Sequence, residues 1–380
     1  MPLPSASNKP LLLFFPIAQT TNYKRCLSIA QHLRKHFTIQ FLHTDNLSSL
    51  VYQQGFDTFS ISDLSFRNSS IYKNTLEFHK GALEVQFLEQ VETLEILQPT
   101  LLISDGIASS NMASEFTGIP LISLLNGYQS PYFVKQHTIT TSSNKHTPFI
   151  ALREKYGLST KQSLQEEFEG NLNWICDLPE LFPQKALPSH YEMIGPILEN
   201  FKRPVLSTTY NSSSIKKTIF LDHDFIDRIR HLKKLEKTFF EQCNIVVNTS
   251  TSNNFLSNHP KVIRVSDIAQ LSPKIDLVFC NTECMVYEAL SYGIPVIYAE
   301  SSLRHRWLID TLENWKIGTS WDHLTQSNNG LEYWIHNKST DELRTIQYKI
   351  KASFTTLSYK LLSSIALHFP FLQKTFIPIL

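Results

Sequence analysis

Short, unbroken apolar runs, each followed by an amphipathic helical pattern, constrain this chain more than any other feature. Leu11–Phe15, Thr38–His43, Thr58–Ile61, Leu101–Ser104 and Leu121–Leu124 read as strands. Helical patterns between them cover Tyr23–Lys35, Asn46–Gln54, Tyr72–Leu97 and Ser109–Thr117. In the first of these, Tyr23, Leu27, Ala30 and Leu33 share one face, as a helix lying on a sheet requires. Strands that are apolar throughout and alternate with helices predict a parallel α/β sheet.

The alternation breaks at Leu198–Ser214, where Pro204 and an NSSS run mark a linker, and then resumes. Further strands are expected at Thr218–Leu221, Asn244–Asn248, Val262–Val265, Leu277–Cys280 and Pro295–Ala299. Helices are expected at Phe225–Glu241, Thr282–Tyr292, Leu303–Asn314 and Asp341–His368. A chain of 380 residues exceeds what one core usually supports. The expected organisation is an α/β domain over 1–200, a linker over 201–216, a second α/β domain over 217–340 and a C-terminal helix over 341–380. Two Rossmann-like parallel-sheet domains would face a cleft, with ligands beyond the carboxyl ends of the strands. The final helix carries Ile346, Ile350, Phe354, Leu357, Leu361 and Ile365 in one stripe. That stripe predicts packing on the body of the protein, crossing back to the first domain. Its polar face offers few cations for a membrane surface.

Composition narrows the function classes. The formal charge is +1 with no sustained basic run, which argues against nucleic acid as a partner. The five cysteines are scattered and odd in number, as expected of reduced thiols in a cytoplasmic protein. Cys280 and Cys284 are four apart, but no second pair or nearby histidine completes a zinc set, so no metal is expected. Leu11–Ala18 lacks the flanks of a secretory signal and reads as a buried strand. No stretch reaches the roughly 18 apolar residues of a membrane span. Only 11 glycines are present, which matters wherever backbone must approach phosphate.

Two stretches place polar residues where ligands dock. In LLISDGIASSNMASEFTGIP, a strand ends at Asp105, a helix follows, and Gly118-Ile119-Pro120 opens the next strand. Spacing by itself reads Asp105 as an N-cap. In FCNTECMVYEALSYGIP, a helix carrying Glu288 leads to Gly293-Ile294-Pro295.

These stretches, together with Leu152–Leu158 (LREKYGL) and Asp177–Ile197 closing on Gly195-Pro196, resemble the two-domain GT-B glycosyltransferases. The likeness is to the UDP-glycosyltransferase and macrolide glycosyltransferase family and covers nearly the whole chain. No one motif is specific; their order and spacing together are. The resemblance implies transfer of a sugar from a nucleotide-sugar, UDP-linked, to a small or lipophilic acceptor, with inversion and with no cofactor.

Position by position, the chain departs from the family pattern. The family base is a histidine in a Gly-His pair; counting back from Ala30, those positions hold Thr21 and Asn22. Asn22 cannot take a proton at neutral pH. Asp105 matches the aspartate that orients that histidine, and without a partner could itself serve as base if burial raised its pKa. Catalytic positions are therefore Asp105 and Asn22. On the donor side, the family's His-Gly-Gly-x-x-[ST] falls on Cys280, Asn281, Thr282, Glu283, Cys284 and Met285. A carboxylate at Glu283, about 5 Å from one phosphate charge, would cost roughly 3 kcal/mol at an effective dielectric near 20. A helix N-terminus returns only about 0.3–2 kcal/mol. Glu288 matches the ribose-binding carboxylate, with a solvent-facing helix residue as the alternative. Arg304 and His305 stand where the family shows Asp-Gln, Asp222 and His223 where it shows Gly-Ser, and Ile268 completes the donor-binding set. Asp105, Asn22, Cys280–Cys284 and Glu288 are expected to face one cleft. The alternative to an active enzyme is a degenerate relative serving as binding or helper subunit to a protein partner, or a transferase using a donor other than a UDP-sugar.

Overall fold

The structure is a computed structural model that describes residues 9–42, 47–59, 80–134, 146–198, 217–222, 225, 243–248, 262–265, 268, 274–299, 303–326, 334 and 338–375. The expected linker 201–216, and all of the expected helix Phe225–Glu241 except Phe225, lie outside these residues. The chain divides into two compact units, one of Met1–Glu199 with Thr355–Leu380 and one of Asn200–Phe354.

The first unit holds seven strands: β1 (Leu11–Pro16), β2 (Thr38–Leu42), β3 (Asp57–Phe59), β4 (Leu101–Asp105), β5 (Leu121–Leu125), β6 (Leu172–Ile175) and β7 (Tyr191–Met193). They form one sheet in the order β3-β2-β1-β4-β5-β6-β7, parallel throughout. The helices are α1 (Thr20–Leu33), α2 (Ser48–Gln53), α3 (Lys80–Leu97), α4 (Ser109–Thr117) and α5 (Thr147–Tyr156).

Alternate residues of the central strands feed two cores. Leu12 and Phe14 of β1 with Leu101 and Ile103 of β4 pack among α1 residues such as Tyr23, Leu27 and Ala30. Leu13, Phe15 and Leu102 turn the other way, against Phe87 and Leu94 of α3, Met112 of α4 and Phe149 of α5. Because both faces of the sheet are covered, its strands read as continuous apolar runs rather than alternating ones.

The second unit holds β8 (Lys217–Leu221), β9 (Cys243–Asn248), β10 (Val262–Val265), β11 (Leu277–Cys280), β12 (Val296–Tyr298) and β13 (Gly318–Ser320). They are parallel, in the order β10-β9-β8-β11-β12-β13. Its helices are α6 (Glu283–Ser291), α7 (Leu303–Asn314) and α8 (Trp321–Gln326), followed by the long α9 (Thr340–His368). In each unit the order reverses direction once, between β1 and β4 and between β8 and β11. A doubly wound sheet opens a crevice at such a reversal, beyond the strand carboxyl ends.

Strands β6, β7 and β13 were not expected. β6 reads LNWI, and its polar Asn173 is fully buried because it serves backbone: it accepts from the Gly170 amide at 2.9 Å and donates to the His190 carbonyl at 3.3 Å. β7 and β13 have three residues each, too few to show a period. The expected stripe of α9 is buried at Ile346, Ile350, Leu357, Leu361 and Ile365. Its last three members lie in the part of the helix that belongs to the first unit, and they join the core beneath α1.

Candidate functional site

At the reversal of the first sheet, Pro16 of β1 pairs with Asp105, the last residue of β4. The chain leaves β1 and enters α1, whose first two turns therefore pass over the end of β4. Asn22 and Arg25, three apart, sit on the same side of that helix. Asn22 Nδ2 donates to Asp105 Oδ1 at 2.8 Å. Arg25 donates from Nε to Oδ2 at 2.8 Å and from Nη2 to Oδ1 at 2.5 Å, a two-pronged ion pair. The Asp105 side chain is 1% exposed and that of Arg25 12%.

The network continues beyond the carboxylate. Arg25 Nη1 donates to Asn126 Oδ1 at 2.5 Å, and Asn126 Nδ2 donates to the Tyr128 hydroxyl at 3.0 Å. Asn126 follows β5 directly and starts a short turn, in which its backbone amide donates to Gln129 Oε1 at 2.7 Å. Gly127 in that turn cannot be larger, because a Cβ there would lie 2.4 Å from Cβ of Phe182. Its amide donates to Asp177 Oδ2 at 2.5 Å. Cys26, beside Asp105, is a neutral thiol: burial pushes its pKa up, the Asp105 carboxylate adds to this, and Arg25 opposes it.

Two expectations change here. Asp105 is not an N-cap: α4 begins at Ser109 after Ala108, with no side-chain cap bond, and the carboxylate serves Arg25 and Asn22 instead. Nor is Asp105 without a partner, since Asn22 and Arg25 both donate to it. Arg25, Asn126 and Tyr128 were not singled out. The i, i+3 spacing of Arg25 from Asn22 was the one available signal, and it names no partner.

In the second unit, the corresponding ends are Leu221 of β8 and Cys280 of β11. Asp222 follows β8, and its amide donates to the Phe279 carbonyl at 2.9 Å. Asn281 and Thr282 turn the chain from β11 into α6. Asn281 holds its carbonyl toward the Tyr298 hydroxyl at 2.9 Å. Thr282 caps α6 with its side chain, accepting from the Met285 amide at 3.4 Å. Glu283 occupies the first turn, where a carboxylate offsets the positive end of the helix by about 0.3–1 kcal/mol. The amides and charge a diphosphate would seek at this N-terminus are thus partly met by the chain's own Thr282 and Glu283.

Cys280 is fully buried, and its thiol pKa is raised by burial first, then by the Asp222 and Glu283 carboxylates. It is therefore a neutral S–H and only a weak donor. Cys284 is exposed, Met285 and Glu288 are half-buried, and Ile268 is buried at 2%. Arg304 and His305 lie in the first turn of α7. His223 lies outside the described residues. Among the described residues, no group of three or more His, Cys, Asp or Glu could hold a metal ion. Among them, too, no helix is long and apolar enough to cross a membrane.

No family model matches the chain. It is 24% identical over 285 residues to a PGL/p-HBAD biosynthesis glycosyltransferase of Mycobacterium tuberculosis, covering 64% of each sequence. The matched part thus spans under two thirds of that relative's length. Among solved structures, the chain is similar to the glycotransferase of kitacinnamycin, with a TM-score of 0.69 at 11% identity over 94% of this chain and 100% of the other. It is likewise similar to the calicheamicin glycosyltransferase CalG4, with a TM-score of 0.68 at 14% identity over 95% and 99%. Two parallel sheets, each with one reversal of strand order, have the fold of the GT-B glycosyltransferases.

Proposed function

We propose that the chain is a glycosyltransferase that moves a sugar from a nucleotide-sugar, UDP-linked, to a small or lipophilic acceptor. The observation that carries this reading is the α6 turn. A helix starts directly at the carboxyl end of β11, at the reversal of the second sheet, and bears Glu288 one and a half turns in. The names of the relatives and of the solved structures point the same way. In the proposed reaction, an acceptor oxygen attacks the anomeric carbon and the nucleoside diphosphate leaves with the bonding pair, inverting that carbon. Glu288 would hold the ribose hydroxyls and the α6 N-terminus the diphosphate. Asn22 and Asp105 belong to the acceptor side.

Calorimetric titration with UDP tests the donor half. Glu283→Gly should tighten UDP by up to about 3 kcal/mol through removal of a like charge. Glu288→Ala should weaken it by roughly 1–3 kcal/mol through lost hydrogen bonds. Two observations favour a second reading, a binding subunit for an active partner: the Arg25–Asp105 pair is closed, and α6 is capped from within. If neither variant changes affinity for UDP or another nucleoside diphosphate, that second reading replaces the first.

A further inference from the structure

We infer that the first unit carries a docking surface for an anionic membrane, formed where the end of α1 meets the outward face of α9. Such a surface does not depend on glycosyl transfer. The chain holds 34 Asp and Glu, yet none lies between Met1 and Thr44 or between Leu343 and Leu380. The fold packs these two acid-free segments on one another. Leu27, Leu33 and Phe37 share a core with Leu357, Leu361 and Ile365, and His32 Nδ1 lies 2.6 Å from Ser358 Oγ. A chain whose formal charge is only +1 thereby acquires a basic region.

At the end of α1, Lys9 Nζ donates to the Arg34 carbonyl at 3.5 Å, and the Arg34 guanidinium lies 5.4 Å from the centroid of the Phe56 ring. Lys35 follows. Burial first, then Lys9 and Lys35, holds the His36 imidazole below its usual pKa, so these groups share one positive field. The dipole of α1 accounts for cations at its C-terminus. It does not account for Lys9, which precedes β1, or for the apolar side chains nearby. Two carboxylates adjoin the surface: exposed Asp57, next to Phe56, and Glu192, whose Oε1 lies 3.2 Å from His368 Nε2.

The apolar part lies mainly on α9. Its inward stripe fills the core, while Tyr359, Ser363 and Leu367 recur every four residues on the outward side. Tyr359 is 61% exposed, Leu367 69%, and Phe371, just past the helix, 60%. Tyr52 is exposed at the end of α2, close to Gln54, whose carbonyl accepts from Gln31 of α1 at 3.1 Å. Single exposed apolar residues are ordinary. Beside cations, in segments without an acid, they match the headgroup boundary of a bilayer. Lysine and arginine heads meet lipid phosphate, tyrosine sits at headgroup depth, and Leu and Phe reach the acyl chains. A soluble polyanion would use the cations and leave Leu367 and Phe371 in water. The cations of α9 by itself are few; α1 supplies the others.

The full chain is sedimented with vesicles of phosphatidylcholine and phosphatidylglycerol in equal parts, and with vesicles of phosphatidylcholine alone. Binding is expected to the first and not the second, and it should fall as salt is added. Lys9→Gln combined with Lys35→Gln should weaken it by about 25-fold, at about five-fold for each cation near an anionic surface. Leu367→Ser combined with Phe371→Ser should weaken it by about ten-fold or more through lost apolar burial. All four side chains are exposed, so both pairs should melt with the wild type. Phe371→Trp should add a fluorescence component that shifts to the blue on anionic vesicles. Absent binding, or equal binding to the two vesicles, overturns the inference. So does full binding by either pair, or an unshifted Phe371→Trp component. Capture of soluble polyglutamate or a single-stranded oligonucleotide, with none of vesicles, overturns it too and assigns the surface to an acidic protein or to nucleic acid.

Discussion

At position 25, a guanidinium donates into both oxygens of Asp105 while its third nitrogen reaches Asn126. The three groups come from α1, β4 and the turn after β5, so one side chain ties three elements at the end of the sheet. Removing it strands a carboxylate that is 1% exposed. Arg25→Met should therefore cost about 3–5 kcal/mol, read as a lowered urea midpoint. The double variant Arg25→Met with Asp105→Asn should recover most of that loss, because no charge is then left buried. A single-variant cost no larger than that of an ordinary surface change would show that the pair is not buried in solution. Legibility at this scale was uneven. Asp105 and Asn22 were visible as positions, but their partner, 80 residues from Asp105, was not.

Elements were legible where local chemistry fixes them. Both Gly-Ile-Pro turns follow a helix and precede a strand, and Gly118 and Gly293 have φ of +72° and +74°. That is the left-handed C-terminal turn in which a side chain is strained. The stripe of α9 was legible as well, whereas its polar anchors to the first unit were not. Trp174 Nε1 donates to Ser364 Oγ at 2.9 Å, and His32 Nδ1 lies 2.6 Å from Ser358 Oγ.

Burial holds the His32 imidazole below its usual pKa, so the folded state favours the neutral ring. The unfolded chain then binds the proton more readily, and stability rises with pH through this group. The α1–α9 contact is at full strength above the ordinary histidine pKa of about 6.5 and weakens as pH falls below it. Hydrogen exchange of amides 357–366 should accelerate relative to the intrinsic rate on acidification through that range. His32→Gln should remove this dependence, and an unchanged pH dependence in that variant would assign it to another group.

On the scale of the molecule, the second unit repeats the order of the first six strands of the first unit, which adds β7 and is completed by residues far along the chain. Leu357, Leu361, Leu362, Ile365, Ala366, Phe369 and Leu372 all enter the core beneath α1. At about 1.5–3 kcal/mol for each large apolar side chain, their loss is as large as the 5–15 kcal/mol by which a domain is usually stable. A chain ending at Phe354 should therefore lose cooperative unfolding of the first unit. A chain ending at Thr375 should keep it, as measured by calorimetry. Equal melting of both chains would mean that the segment adds nothing to that core.

The α/β class, the parallel sheets and most strand positions were determined by the sequence itself, because apolar runs covered on two faces and helical stripes are local patterns. The GT-B resemblance was legible too, since it rests on the order and spacing of motifs. Short strands such as β7 and β13 escaped, having too few residues for a period and being held by neighbouring strands. What only the tertiary structure decided is the state of the polar groups. Asp105 could be an N-cap, a base or half of an ion pair by its surroundings in the chain alone. It became the third because parallel pairing of β1 with β4 carries Arg25 and Asn22 over its end. Electrostatic partners are set by register between distant strands, and no local pattern encodes that register.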